Sequence, residues 1–171
     1  LAVAPTIYED AFKNIAKNKL NFGCLVHKNK SRVVIEKPFG YDFASSQRLN
    51  ELIARFFEKE QIFRIDHFLG KETVQNILAF RFGNEIFEPL LNSTYVDNIQ
   101  ITFTEYGGIG KRGSFYDKAG ALRDVVQNHL FQLLAIATME EPQSFGHEDF
   151  RQRRLEIIGS IKKIEKEDVK K

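Results

Sequence analysis

The sequence predicts an α/β fold built on parallel strands, followed by an α+β part whose sheet is largely antiparallel. Three observations carry this. Val33-Val34-Ile35 and Ile62-Phe63-Arg64-Ile65 are short apolar runs on either side of a long amphipathic stretch, the strand–helix–strand pattern of a parallel pair. Further on, Ile99, Ile101 and Phe103 alternate with Gln100, Thr102 and Thr104, the period of two that marks a half-exposed antiparallel strand. The change from continuous to alternating apolar strands places a boundary near Asp66, dividing the chain into 1–65 and 66–171.

Taken in order, Pro5 suits a first helical position, and Ile7, Ala11 and Ile15 repeat every four residues, so 5–18 reads as an amphipathic helix. Cys24 and His27 sit in a polar connection, too few for a zinc site, and no metal site is expected. Val33-Val34-Ile35 is the kind of β-branched run buried on both faces. It leads into Glu36-Lys37-Pro38-Phe39-Gly40, where the proline holds Lys37 extended. Residues 42–60 form the clearest helix, capped by Asp42 or Ser45, with Leu49, Leu52, Ile53, Phe56 and Phe57 facing the core. After the second strand, Gly70 opens a helix carrying Val74, Ile77, Leu78 and Phe82, and 85–91 reads as a short helical piece. The segment from Glu105 to Gly113 is a glycine-rich turn whose surroundings do not match a phosphate-cradling loop. Residues 119–138 read as one long helix with Leu122, Val126, His129, Leu133 and Ala137 on its stripe, so His129 stands where an apolar residue belongs. A last helix, 148–164, presents Arg151, Arg153 and Arg154 as a solvated face.

The chain has 171 residues, 43% hydrophobic and 28% charged, which is ordinary for a soluble domain or parts of two. A net charge of +2 offers no case for nucleic acid or a membrane surface as partner, and no apolar run spans a bilayer. One cysteine makes no internal disulfide, so a reducing, cytoplasmic compartment is expected. The chain starts at Leu1 rather than Met and ends in a charged tail, so a piece of something longer is expected.

The chemistry concentrates in Arg64-Ile65-Asp66-His67-Phe68-Leu69-Gly70-Lys71-Glu72. A carboxylate, an imidazole and an ammonium leave the end of a parallel strand and enter a helix, both places where anions bind. From these residues alone, an anion site and a solvated loop remain equally open. A second polar group, Arg123, Asp124, Gln127 and Asn128, precedes His129. If the two meet, Asp66 and His129 form a carboxylate–imidazole pair able to take a proton, with His67 and Lys71 left for an anionic group.

At these residues the sequence resembles the glucose-6-phosphate dehydrogenase family. The resemblance runs through Leu1-Ala2-Val3-Ala4-Pro5, Glu36-Lys37-Pro38-Phe39-Gly40, the nine residues from Arg64 to Glu72, and Arg123-Asp124-Val125-Val126-Gln127-Asn128-His129-Leu130. It implies the C-terminal part of a Rossmann-type NADP-binding domain followed by the start of the substrate domain. It further implies oxidation of glucose 6-phosphate at C1 to 6-phosphogluconolactone with hydride transfer to NADP, the first step of the oxidative pentose phosphate pathway. In that reading His129 is the base and Asp66 orients it. His67 and Lys71 bind the substrate phosphate, while Glu105 and Asp124 accept from sugar hydroxyls. Lys37 stands between substrate and coenzyme, with the Lys37–Pro38 bond cis, and Pro38, Pro5 and Tyr8 belong to the coenzyme side. The intact enzyme is expected as a homodimer or homotetramer, and the 171 residues alone as incomplete for activity. Phe68 departs from the family's common tyrosine, and Ala4 from a proline. Two other readings stand beside it: a sugar-phosphate-binding module without redox chemistry, and a related Glu-Lys-Pro oxidoreductase acting on unphosphorylated sugars.

Overall fold

A computed structural model describes residues 1, 3, 7–23, 30–40, 42–110 and 113–170; Pro5, Cys24 and His27 lie outside them. The described residues fall into two units, Leu1–Asp66 and His67–Lys171.

In the first unit, helix α1 runs Tyr8–Lys17, with Glu9 and Asp10 in its first turn and Lys17 in its last, charges that complement the helix dipole. Its buried stripe is rotated one residue from the expected one. Tyr8 and Phe12 reach the core and stack at 5.8 Å between ring centroids, while Ile7 is half exposed. An aromatic pair buries more area than the Ile7–Ala11 pair could, and that decides which face turns inward. Strands β1 (Val33–Ile35) and β2 (Ile62–Arg64) pair in parallel, with Val33 opposite Ile62 and Ile35 opposite Arg64. Val33 and Ile35 point into the core formed by Tyr8, Phe12, Ile53 and Phe57. Val34, expected buried like its neighbours, is 42% exposed, because among the described residues only one face of the pair is covered.

Helix α2 spans Phe43–Ala54 and begins with a capping box: the Ser45 amide donates to Asp42 Oδ1 at 2.7 Å and the Asp42 amide to Ser45 Oγ at 3.0 Å. It stops short of the expected residue 60. Phe57 turns into the core beyond its end, and buried Gln61 ties down the following turn by donating to the carbonyls of Asn21 and Ser31, both at 2.7 Å. Gly40, at φ +114°, packs where a Cβ would lie 2.6 Å from the Ser46 amide nitrogen, so only glycine fits the approach to α2.

In the second unit a 3₁₀ turn, His67–Gly70, leads into helix α3 (Glu72–Phe82) with Lys71 at its N-cap. The short helical piece expected at 85–91 is a 3₁₀ turn over Glu88–Leu90. Arg81, 3% exposed, pins α3 to its neighbours: its guanidinium holds both Glu88 carboxylate oxygens, at 2.6 and 3.1 Å, and donates to the Ile136 carbonyl at 2.8 Å. The expected antiparallel sheet is absent among the described residues, where the one sheet is the parallel pair β1–β2. Residues 101–104 keep the alternation, with Ile101 and Phe103 half buried and Thr102 and Thr104 exposed. An alternating segment becomes a strand only when a neighbour takes up its backbone groups, and no described segment does so.

The long helix expected at 119–138 is three segments. Helix α4 (Gly113–Ala121) breaks at Gly120, whose φ of 69° and ψ of 167° belong to no helix. A π-helical segment, Leu122–Leu130, follows, and then α5 (Phe131–Thr138). The wider π register overturns the expected stripe: Leu122 is 63% exposed, while Asp124 and His129 are buried. Helix α6 (His147–Ser160) follows, and a 3₁₀ turn, Asp168–Lys170, comes after it. The arginines of α6 are not a solvated face: Arg151, Arg153 and Arg154 are half buried, and Arg154 donates to Gln132 on α5 at 2.7 Å while lying over the Phe150 ring.

Candidate active site

In the second unit three titratable groups gather on an aromatic platform. Phe68, at the second position of the 3₁₀ turn, is 5% exposed and lies face to face with the His129 imidazole, centroids 3.9 Å apart and planes 7° from parallel. The Lys71 ammonium sits over the same Phe68 ring, 3.7 Å from its centroid, and 5.3 Å from that of Phe103. His67 packs edge-on against His129 at 4.8 Å and against Phe68 at 5.0 Å. Phe103 completes the platform, its centroid 5.0 Å from that of Phe68.

The local sequence explains the arrangement. The 3₁₀ turn closes with the Lys71 amide donating to the Phe68 carbonyl at 3.1 Å, and this short step brings ring and ammonium together at the mouth of α3. The positive end of the helix adds to the charge there. The π segment does the rest. Asp124 and His129 are five residues apart, and in an α-helix five steps of roughly 100° would set them about 140° apart. The i→i+5 repeat of a π-helix stacks them on one side instead, so both are buried, at 6% and 3% exposure. The Asn128 side-chain amide donates to the Arg123 carbonyl at 3.3 Å and the Asp124 carbonyl at 3.5 Å, a local side-chain bond to the backbone of the same segment.

A buried imidazole can accept a proton, and the exposed His67 packed against it and Lys71 over the Phe68 ring can hold an anion with charge-assisted bonds. Glu105 is exposed on the glycine-rich segment two residues past Phe103. An apolar groove of about 500 Å³ between α3, α5 and α6, lined by Val74, Leu78, Phe82, Ile136, Phe145 and Phe150, contains no titratable group and offers no chemistry of this kind.

The first unit contributes residues at the carboxyl end of its parallel pair. Asp66, half buried, is the last residue of that unit, just past β2. Past β1, the Lys37–Pro38 bond is cis, as the resemblance implies, and both residues are half buried. Tyr8 is 1% exposed, and its hydroxyl donates to the Glu36 carbonyl at 3.0 Å. Burial, and secondarily the Glu36 charge, pushes its phenol above the usual value of 10.0. Tyr8 therefore supports the Glu36–Pro38 turn from beneath.

Sequence reasoning missed two members of the platform. Phe103 stood out only as an alternating apolar residue, and Phe68 only as a departure from tyrosine. The signal available was rings on three separate segments, Phe68, Phe103 and His129, and periodicity does not register their grouping.

Two family profiles together span almost the whole chain. Residues 1–76 match the profile "Glucose-6-phosphate dehydrogenase, NAD binding domain" and residues 78–171 the profile "Glucose-6-phosphate dehydrogenase, C-terminal domain". The chain belongs to the glucose-6-phosphate dehydrogenase family. Among relatives, the glucose-6-phosphate 1-dehydrogenase of Rhizobium meliloti is 49% identical over 96% of this chain and 32% of its own length. That of Bacillus subtilis is 45% identical over 99% of this chain and 34% of its own. A solved glucose-6-phosphate dehydrogenase in complex with its substrate glucose 6-phosphate superposes with a TM-score of 0.85 at 38% identity, covering 96% of this chain and 33% of that one. The enzyme of Mycobacterium avium also gives 0.85 at 38% identity, covering 98% and 36%. The chain thus spans about a third of the length of its glucose-6-phosphate dehydrogenase relatives. Its first unit lies within the family's nicotinamide-coenzyme domain, whose sheet is represented here by β1 and β2.

Proposed function

We propose that the protein to which this chain contributes oxidises glucose 6-phosphate at C1, transferring the hydride to NADP and forming 6-phosphogluconolactone. The observation that carries this reading is the buried His129, packed against His67 and stacked on the Phe68 ring that also carries the Lys71 ammonium, in a chain of this family. One group suits proton abstraction, and the other two suit a phosphate.

His129 removes the proton of the C1 hydroxyl as C1 gives up its hydride and the C1–O bond becomes a carbonyl. Burial keeps bulk water from competing for that proton. Asp66 is assigned the carboxylate that orients His129 and stabilises its charged form, a pairing taken from the family resemblance. His67 and Lys71 receive the phosphate at the positive end of α3. Asp124 and Glu105 accept hydrogen bonds from sugar hydroxyls, which as donors suit carboxylates.

The coenzyme side rests on the turn after β1. Ligands of parallel sheets bind beyond the carboxyl ends of the strands, and the half-buried Lys37 there offers a cation to an oxygen-rich dinucleotide. A nicotinamide bound there would supply the hydride acceptor. By resemblance Lys37 is assigned to both sugar and coenzyme, and Pro38, Tyr8 and Pro5 to the coenzyme; Tyr8 also holds the turn that carries Lys37 and Pro38. We place the end of the coenzyme part at residue 65 and the start of the substrate part at residue 66. The chain's division after Asp66 supports that placing. The enzyme is assigned to the cytoplasm, as a homodimer or homotetramer.

The test is NADP reduction by the full-length protein, with glucose 6-phosphate and glucose compared. Activity with the phosphorylated sugar and a large loss without the phosphate is the expected result. Equal rates on both sugars would move the assignment to an oxidoreductase of unphosphorylated sugars. Lys71→Ala should raise KM for glucose 6-phosphate by at least tenfold, the scale of one lost charge-assisted bond of about 1.5 kcal/mol or more.

A further inference from the structure

The Lys71 ammonium lies 3.7 Å from the centroid of Phe68 and the His129 ring 3.9 Å from it, in a nearly parallel plane. At those distances the two cannot share one face of the ring, so Phe68 is sandwiched between them. It is itself buried and is braced edge-on by Phe103 and His67. An aromatic face attracts an ammonium and packs well against another flat ring. One side chain therefore holds two groups that the proposed reaction uses for different purposes.

We infer that Phe68 is a positioning residue: its ring seats the phosphate-binding lysine on one face and the base imidazole on the other. This inference rests on the proposed sugar-phosphate oxidation. Phe68 has no hydroxyl to offer a phosphate, unlike the tyrosine common in the family. Its contribution to phosphate binding passes through Lys71 instead. A long, flexible lysine at a helix mouth otherwise loses rotamer freedom on binding an anion, and a ring beneath the ammonium reduces that loss. The same ring fixes the plane of His129, and so the direction from which its nitrogen meets the C1 hydroxyl.

The experiment uses the full-length protein with Phe68→Leu, Phe68→Tyr, Lys71→Ala and the double variant Phe68→Leu/Lys71→Ala. Phe68→Met serves in place of leucine should that variant not fold. The measurements are kcat and KM with glucose 6-phosphate, and the Kd of inorganic phosphate by calorimetry. Phe68→Leu is expected to raise KM and the phosphate Kd about fivefold, the ratio carried by a cation–π contact of about 1 kcal/mol. It should also lower kcat by about tenfold, within the cost of a small misplacement of a catalytic group. Phe68→Tyr keeps the ring and adds a hydroxyl, so KM and the phosphate Kd should be no higher than the parent's and kcat should stay within about twofold of it. In the Lys71→Ala background the leucine substitution should no longer change KM, while its effect on kcat persists. The inference is overturned if Phe68→Leu leaves KM and phosphate Kd unchanged, if tyrosine fails to restore them, or if the KM effect is as large without Lys71. Should the parent bind phosphate through Lys71 and Phe68 yet reduce no NADP, the proposed reaction falls and the lysine half of the inference stands.

Discussion

Gly120 is the point at which the chain's geometry can be tested by the sign of an effect. Its φ of 69° and ψ of 167° lie in a region that is essentially open to glycine alone. A Cβ built there meets nothing within 4 Å, so substitution by alanine creates no steric contact with the surroundings. The whole cost of Gly120→Ala is then backbone strain, of order 1–3 kcal/mol. In a regular helix the same change would stabilise, by about 1 kcal/mol, because alanine loses less conformational freedom than glycine. The two accounts thus differ in sign. Urea denaturation of the full-length variant should show a lower midpoint with an unchanged slope. Because Gly120 launches the π segment that carries Asp124 and His129, kcat should fall as well, by about tenfold for a small displacement of His129, the proposed proton acceptor. A variant equal to or more stable than the parent would show that Gly120 is not held in this conformation, and the explanation for the start of the π segment would fail.

Other parts of the structure make separate predictions. Arg81→Ala removes a buried guanidinium that bonds Glu88 and the Ile136 carbonyl, and should cost about 3 kcal/mol, the low end for a broken buried pair because Glu88 keeps some access to water. Arg81→Lys should recover only part of that, since one ammonium cannot reproduce the fork, and thermal melts that restore the parent midpoint would refute it. Tyr8, whose phenol is raised above 10.0, contributes stability that is fully present below that pH and lost as pH rises towards its folded value, because the unfolded chain ionises first. Tyr8→Phe should therefore flatten the alkaline fall in stability measured between about pH 9 and 11 and cost about 1 kcal/mol at neutral pH for the lost bond to Glu36.

How much of this was legible in the sequence depends on what kind of order carried it. The parallel pair and the capped helix between its strands were readable, because β-branched runs and an Asp–x–x–Ser cap act within a few residues. The rotated stripe of α1 was not, since periodicity finds a repeat but not whether Ile7 or Tyr8 has the more area to bury. The alternating stretch around Phe103 reads as a strand on its own pattern, yet strand formation depends on a partner that local pattern cannot supply. The 3.6-residue period likewise hid the π segment. It put His129 on an apolar stripe with Leu122, whereas the widened register exposes Leu122 and buries Asp124 with His129. Of the site, the residue types and motifs were visible, and the resemblance supplied their roles. That His67, Lys71 and His129 share one aromatic residue required coordinates, because Phe68 and His129 lie on segments that no single periodicity connects.

His129 is proposed as the proton acceptor of a sugar-phosphate oxidation. Its most direct test is His129→Asn in the full-length protein, which keeps a hydrogen-bonding side chain of similar reach but cannot take up the proton. Steady-state NADP reduction should show kcat lower by on the order of a thousandfold, within the range for loss of a general base, with KM for glucose 6-phosphate changed by less than about threefold. A variant that turns over at near the parent rate would contradict the assignment of His129, and with it the account of why the π segment buries that residue.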